Sequence, residues 1–327
     1  MYVFLKWFTP QFYNMTEDEL PYEIAIKTAL MLPLGIGGLF LNYVILMMLY
    51  RNRWLWSPSN ILIGNLALVD FVTLLICPWL MLVRDFYQNF VLRSFGCRFE
   101  AFLQGTCLLA AVGAIMLVSY DRLAAATLTN DARITKKAAP KLIILSWLCA
   151  ALLSIPWIIF RSFQVRQWLD FLETFCAEDR NVLGVYWHVI ITILVWVPLG
   201  LMIYGAILWR LEKSSKELAL RGGGVSVIRA RSRAMRVTAC VLVTATICRL
   251  PYTVLVYWIF DRFWFAANYL MYLDCALNPL IYGFTNERFR RAMDRTPGIS
   301  CFKFGSWCCM CTPVIVFYYS KTLSHLI

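Results

Sequence analysis

Seven apolar stretches of near membrane-spanning length punctuate the chain, at Ile24–Leu49, Ile61–Val83, Ala101–Ala126, Leu142–Phe160, Val182–Trp209, Val237–Phe260 and Phe263–Phe284. The hydrocarbon core of a bilayer calls for ~20 consecutive apolar residues in a helix, and each stretch answers that length. The fold class that follows is an all-α membrane protein, a seven-transmembrane helix bundle. Composition points the same way: the 327 residues are 61% hydrophobic and 16% aromatic, with a mean hydropathy of +0.65, too apolar for a soluble two-domain protein. The short connections leave no room for a soluble domain.

Lys and Arg set the orientation, because positively charged loops stay cytoplasmic. One set of connections carries Arg51 and Arg53, then Arg133, Lys136, Lys137 and Lys141, then eight more from Arg210 to Arg236, and finally Arg288, Arg290, Arg291 and Arg295. In the other set Arg84, Arg93, Arg98, Arg161, Arg166, Arg180 and Arg262 are offset by seven carboxylates from Asp85 to Asp261. The N-terminus is therefore expected outside, in the plasma membrane. The net charge of +12 is a topological signal, and nucleic acid is not an expected partner.

The expected organisation is an extracellular tail over 1–23, a seven-transmembrane bundle over 24–285, a short amphipathic cytoplasmic eighth helix over 286–296 and a Cys-rich cytoplasmic tail over 297–327. The tail has no secretory-signal pattern, and Asn14-Met15-Thr16 fits the N-glycosylation triplet. Cys97 and Cys176 are the two cysteines placed clearly in the outer connections, where an oxidising compartment favours a disulfide between them. Cysteines within the stretches, Cys149 among them, read as small buried hydrophobes. Cys301, Cys308 and Cys309 follow the basic segment as candidate palmitoylation sites. Their spacing suits a zinc knot poorly, and His188 and His325 have no metal-ligand spacing, so no metal, cofactor or enzyme chemistry is expected. The apolar end of the tail, PVIVFYYSKTLSHLI, is short of spanning length.

Polar residues inside the apolar stretches are costly, about 3 kcal/mol for a central carboxylate on the insertion scale. Those that stand out are Asn42 in the first stretch, Asp70 in the second, Arg249 in the sixth, and Asp274 and Asn278 in the seventh. Asn42, Asp70 and Asn278 either converge on one site or make separate interhelical hydrogen bonds. Pro279 removes a backbone donor and frees the carbonyl a turn earlier, which requires a partner from a neighbouring helix, a side chain or water. The seventh helix is thus expected to face protein.

In their order and spacing these residues carry a resemblance. The chain resembles the rhodopsin-like (class A) G-protein-coupled receptors from about Leu30 to Met293. The matching positions are Asn42, Asp70, Cys97 with Cys176, Asp121-Arg122, Trp147, Pro198, Pro251, and Asn278–Tyr282 followed seven residues later by Phe289. The resemblance implies an outer ligand pocket, an outward swing of the sixth helix and an inner crevice for a heterotrimeric G protein, with Asp121, Arg122, Asn278, Pro279 and Tyr282 as switch residues. Light receptors of this family need a seventh-helix lysine, and none lies between Lys216 and Lys303, so retinal is excluded. Amine receptors need an aspartate eighteen residues before Arg122, where this chain has Gln104, an amide that cannot hold a cation by charge. Glutamine there resembles the neuropeptide-receptor branch. A peptide ligand is expected among Gln104, Trp258, Asn268, Tyr272 and the loop near Cys176, with membrane lipid against the basic inner loops.

Several switch positions depart from the family pattern: Arg249 replaces tryptophan, Ala245 phenylalanine, Ala206 tyrosine and Leu123 an aromatic, and Arg231 stands where some members place a glutamate that locks the third-helix arginine. Arg249 and Asp274 fall at positions that touch in the family. Either they form a buried ion pair, extended to Asp70 through water and taking the place where relatives bind sodium, or Arg249 points up to an acidic group of the ligand. Ala111, in place of serine, also removes a sodium ligand. Rival functions are a receptor-shaped protein that no longer couples, and a seven-helix transporter or channel, against which no repeat between the halves is visible. Ligand identity, G-protein class and oligomeric state are not written in the sequence.

Overall fold

In the computed structural model the described residues are 21–87, 89–127, 133–167, 172–178, 240–249, 251–252, 261–285, 289 and 291–293, together with 200, 205, 206, 210, 213 and 217. Four of their helices are long and apolar enough to cross a membrane: Pro21–Arg51, Pro58–Tyr87, Arg93–Arg122 within the longer helix Arg93–Thr127, and Ala138–Phe160. The seventh-stretch helix, Asp261–Thr285, has 25 residues, and its polar residues dilute its apolarity. Part of the sixth stretch is described as the shorter helix Cys240–Arg249. Most helices overrun their apolar stretches by a turn or so, because their ends extend into polar flanks: the first helix starts at Pro21, inside the segment expected as tail.

Local chemistry sets the helix starts. Pro21 and Pro58 open their helices, at the position where a missing N–H costs nothing and the fixed φ is already helical. Before Pro58, Ser57 accepts from Ile61 N at 3.0 Å through its carbonyl and from Asn60 N at 3.4 Å through its hydroxyl. Thr135 Oγ1 accepts from Ala138 N at 3.2 Å at the start of the fourth helix. Glu23 in the first turn and Arg51 in the last turn of the first helix complement its dipole.

The first helix packs on the second and the seventh, and the third packs between the second and the fourth. Small residues allow the close approaches, as expected between membrane helices. A Cβ on Gly38 would come within 3.0 Å of Ala276 Cβ on the seventh helix, and one on Gly105 would collide with the Trp157 ring of the fourth. The fourth helix lies at the margin, with Ile144, Leu145, Leu148, Leu152 and Ile159 exposed. Cys149 is exposed with them, so it is not the buried hydrophobe its stretch implied; the fourth helix buries too narrow a face to cover it.

The helical class stands, with one local addition. The loop after the fourth helix is an antiparallel hairpin, β1 (Arg161–Gln167) and β2 (Leu172–Glu178), in a register that sets Phe163 opposite Cys176 and Arg166 opposite Glu173. Alternation in RSFQVRQ suits a sheet with one face covered. The connection between the second and third helices docks on it: Phe90 N donates to Thr174 O at 2.9 Å, Thr174 N donates to Asn89 Oδ1 at 2.8 Å, and the Phe90 and Phe163 rings lie 6.4 Å apart.

Two large apolar cores and a smaller cluster, Val69 with Ala110, Ala111 and Ala150, fill the bundle among the described residues. One, toward the hairpin, includes Met31, Leu74, Met81, Leu108, Tyr252, Met271 and Tyr272. The other, toward the opposite end, includes Ile45, Met48, Leu62, Leu66, Ile115, Val118, Ala245 and Phe289. Of residues 286–296, Phe289, Ala292 and Met293 are buried in this second core, whereas Arg291 is exposed.

Candidate functional site

The costly polar residues lie between the two cores. On each helix the polar position falls between members of one cluster and the other: Asn42 between Leu39 and Val44, Asp70 between Ala67 and Leu74, Arg249 between Ala245 and Tyr252, and Asn278 between Cys275 and Ile281. All of them, with Asp274, are buried.

Pro279 explains the first contact. A proline frees the carbonyl four residues back, here that of Cys275. Asn42 Nδ2 donates to Cys275 O at 3.0 Å and to Gly38 O of its own helix at 2.9 Å. The first helix therefore supplies the donor that the seventh lacks. Asn42 does not converge on Asp70 through any bond described.

Asp70 instead accepts from Asn278 Nδ2 at 2.9 Å, joining the second and seventh helices. Arg249 Nε lies 2.7 Å from Asp274 Oδ2, with side-chain exposures of 6% and 0%. Of the two placements open to Arg249, the structure has the ion pair. A charge-assisted bond of this length is at the strong end of its class, and burial makes each charge dependent on the other.

At the hairpin end, Cys97 and Cys176 are joined by a disulfide, with Cα atoms 5.8 Å apart, tying β2 to the third helix. Gln104 is half-buried on that helix. Asn268 is buried and donates to Trp264 O at 2.8 Å on its own helix, and Tyr272 is fully buried. Both sit deeper than freely presented ligand contacts. Tyr252 and Trp264, with ring centroids 5.6 Å apart, add an aromatic pair that the sequence reading did not select; its signal was the aromatic content near Pro251. Trp258 lies outside the described residues, as do Asn14, Cys301, Cys308, Cys309, Pro198 and Arg231.

At the opposite end, Asp121 is buried and accepts from Ser59 Oγ of the second helix. This partner, 62 positions away, was invisible in the sequence. Arg122 is half-buried, and of Tyr282 the backbone alone is described, in the seventh helix next to Pro279. Trp147 Nε1 donates to Asn65 Oδ1 at 3.0 Å, connecting the fourth helix to the second. Ala111 is packed with Val69, Ala110 and Ala150 and brings no hydroxyl to the layer.

A multi-pass membrane protein with interhelical polar ties and a disulfide-anchored hairpin is the class that this fold and site define. The profile of the 7 transmembrane receptor (rhodopsin family) matches residues 41–282, and the chain belongs to that family. It is similar to the RYamide receptor of Drosophila melanogaster, 25% identical over 91% of this chain and 69% of that protein. It is also similar to neuropeptide receptor 22 of Caenorhabditis elegans, 27% identical over 76% of this chain and 63% of that protein. A Gq-coupled rhodopsin of Mizuhopecten yessoensis is 26% identical over 92% of this chain and 64% of that protein. The chain thus spans about two thirds of the length of these relatives. Likeness to an opsin does not bring retinal chemistry with it, since the seventh helix of this chain has no lysine.

Proposed function

We propose that this receptor answers an extracellular peptide and passes the signal to a heterotrimeric G protein from the plasma membrane, N-terminus outside. The observation that carries the reading is the pair of polar ties made by the seventh helix, Asp274 with Arg249 and Asn278 with Asp70, which couple it to the sixth and second helices. A ligand that prefers one arrangement of those helices shifts the population by its difference in affinity. Gln104, Trp258, Asn268, Tyr272 and the hairpin are the proposed ligand region. Asp121, Arg122, Asn278, Pro279 and Tyr282 are the proposed transmission residues. Segment 286–296 is the proposed amphipathic helix, lying with the basic loops against anionic lipid; Asn14 and Cys301, Cys308 and Cys309 are the proposed modification sites. Two of the relatives are named as peptide receptors, which favours a peptide.

The test is expression with a panel of G proteins against a library of amidated peptides. A nucleotide-exchange response to one peptide supports the reading. A second reading, a receptor-shaped protein that no longer couples, is favoured by Arg249, Ala245 and Ala206 together; silence across the panel with normal surface delivery selects it.

A further inference from the structure

Lys27 stands in the first helix on its hairpin-end half, yet its ammonium is drawn sideways into the bundle. Nζ lies 4.0 Å from Asp85 Oδ2 of the second helix and 5.7 Å from the centroid of the Phe265 ring of the seventh. The Lys27 and Asp85 side chains are 17% and 12% exposed. Phe265 is braced by Tyr269, with ring centroids 6.2 Å apart. None of these residues belongs to the ligand region or the transmission path above.

A carboxylate beside an aromatic face is the chemistry that recognises an organic cation. Here an internal ammonium occupies it, and not tightly. Charge-assisted hydrogen bonds run at ~2.7–2.9 Å, the length Arg249 reaches on Asp274, whereas Lys27 stops at 4.0 Å. Lys27 also has somewhere else to go. Glu23, one turn back on the same helix, is exposed, at the spacing where a Glu and a following Lys attract. Taking a cation away from a carboxylate as little exposed as that of Asp85 is costly, so an arriving cation favours the exchange.

We propose that Asp85 and Phe265 form a binding site for a cationic group of the ligand, a guanidinium or an ammonium, and that Lys27 is a built-in occupant which the ligand displaces. This rests on the peptide-receptor reading and adds the chemistry of one end of the peptide, a basic residue. The competing account is a static tie between three helices.

The experiment uses the full chain purified in lipid nanodiscs, with Nα-acetyl-L-argininamide as probe and its neutral isostere Nα-acetyl-L-citrullinamide as control, read by thermal melting. Acetylargininamide is expected to raise the melting temperature of Lys27→Met and to act on the wild type only at about tenfold higher concentration, where it must compete with Lys27. Acetylcitrullinamide is expected to do nothing, and Asp85→Asn to abolish the effect. Lys27→Met that ignores acetylargininamide, or answers both probes alike, overturns the proposal, as does Asp85→Asn that still responds. Lys27→Met/Asp85→Asn, which removes both charges of the pair together, is the folding control. Should Lys27→Met not assemble, the comparison of wild type with Asp85→Asn decides: equal response or none in both overturns it. The melting assay needs no signalling, so a chain that answers acetylargininamide yet ignores every peptide keeps this site and loses the peptide reading.

Discussion

Arg249 and Asp274 meet at 2.7 Å in a layer closed to solvent, so the sixth and seventh helices are joined by charge at a position where the family pattern has an indole. An indole packs in many orientations; a guanidinium on a carboxylate is directional, and either charge alone is a liability.

Removing one partner is therefore expected to cost far more than removing both. Arg249→Gln and Asp274→Asn should each lose ~3–5 kcal/mol and with it surface expression. The double variant should recover a substantial part. Surface labelling and thermal melting of the three variants check this, and a double variant no better than the singles would contradict the pairing.

The same pair bears on small cations. Arg249 places a fixed positive charge next to Asp274, Asp70 Oδ2 is already engaged by Asn278, and Ala111 offers no oxygen. A solute without differential affinity for the two states shifts nothing. Replacing sodium with N-methylglucamine is expected to leave the affinity of an active peptide unchanged in the wild type; a marked change on that exchange would be the contrary result.

Ser59 donates to the buried Asp121 carboxylate and so holds the second helix to the third beside Arg122. Ser59→Ala leaves a buried acceptor short of a donor, a cost of ~1–3 kcal/mol in the closed arrangement. Ligand-independent nucleotide exchange is expected to rise in Ser59→Ala and to return to the wild-type level in Ser59→Thr, which keeps the hydroxyl.

Two glycines give a matched test of packing. Gly105→Ala drives a methyl into the Trp157 ring, whereas nothing lies within 4 Å of a Cβ at Gly37. Melting of the purified protein should show Gly105→Ala destabilised by ~1–3 kcal/mol. Gly37→Ala should be neutral or stabilised by up to ~1 kcal/mol through helix propensity.

Legibility in the sequence followed the range of each interaction. Helix positions were readable because hydrophobic runs of bilayer length are local, and the cost of intramembrane charge marked Asp70, Arg249 and Asp274 before any partner was visible. The hairpin was missed because its charges and aromatics read as a long polar loop, although Phe163 and Val165 alternate with polar residues at a period of two. Asn42 was read together with Asp70, yet counting four residues back from Pro279 reaches Cys275, whose carbonyl is the group Asn42 serves. Ser59 with Asp121 and Lys27 with Asp85 and Phe265 were out of reach, since each joins different helices and no spacing rule connects them.

The Asn42 bond to Cys275 also limits how the seventh helix can move. Both hydrogens of that amide are committed, one to each helix. Moving the turn that holds Cys275 away from the first helix strands a buried carbonyl, at a cost of ~1–3 kcal/mol. A penalty of that size is a threshold: random jostling crosses it seldom, and a bound ligand with several kcal/mol of preference crosses it readily. The proline joint is thereby given a detent, which holds it in place without making it rigid.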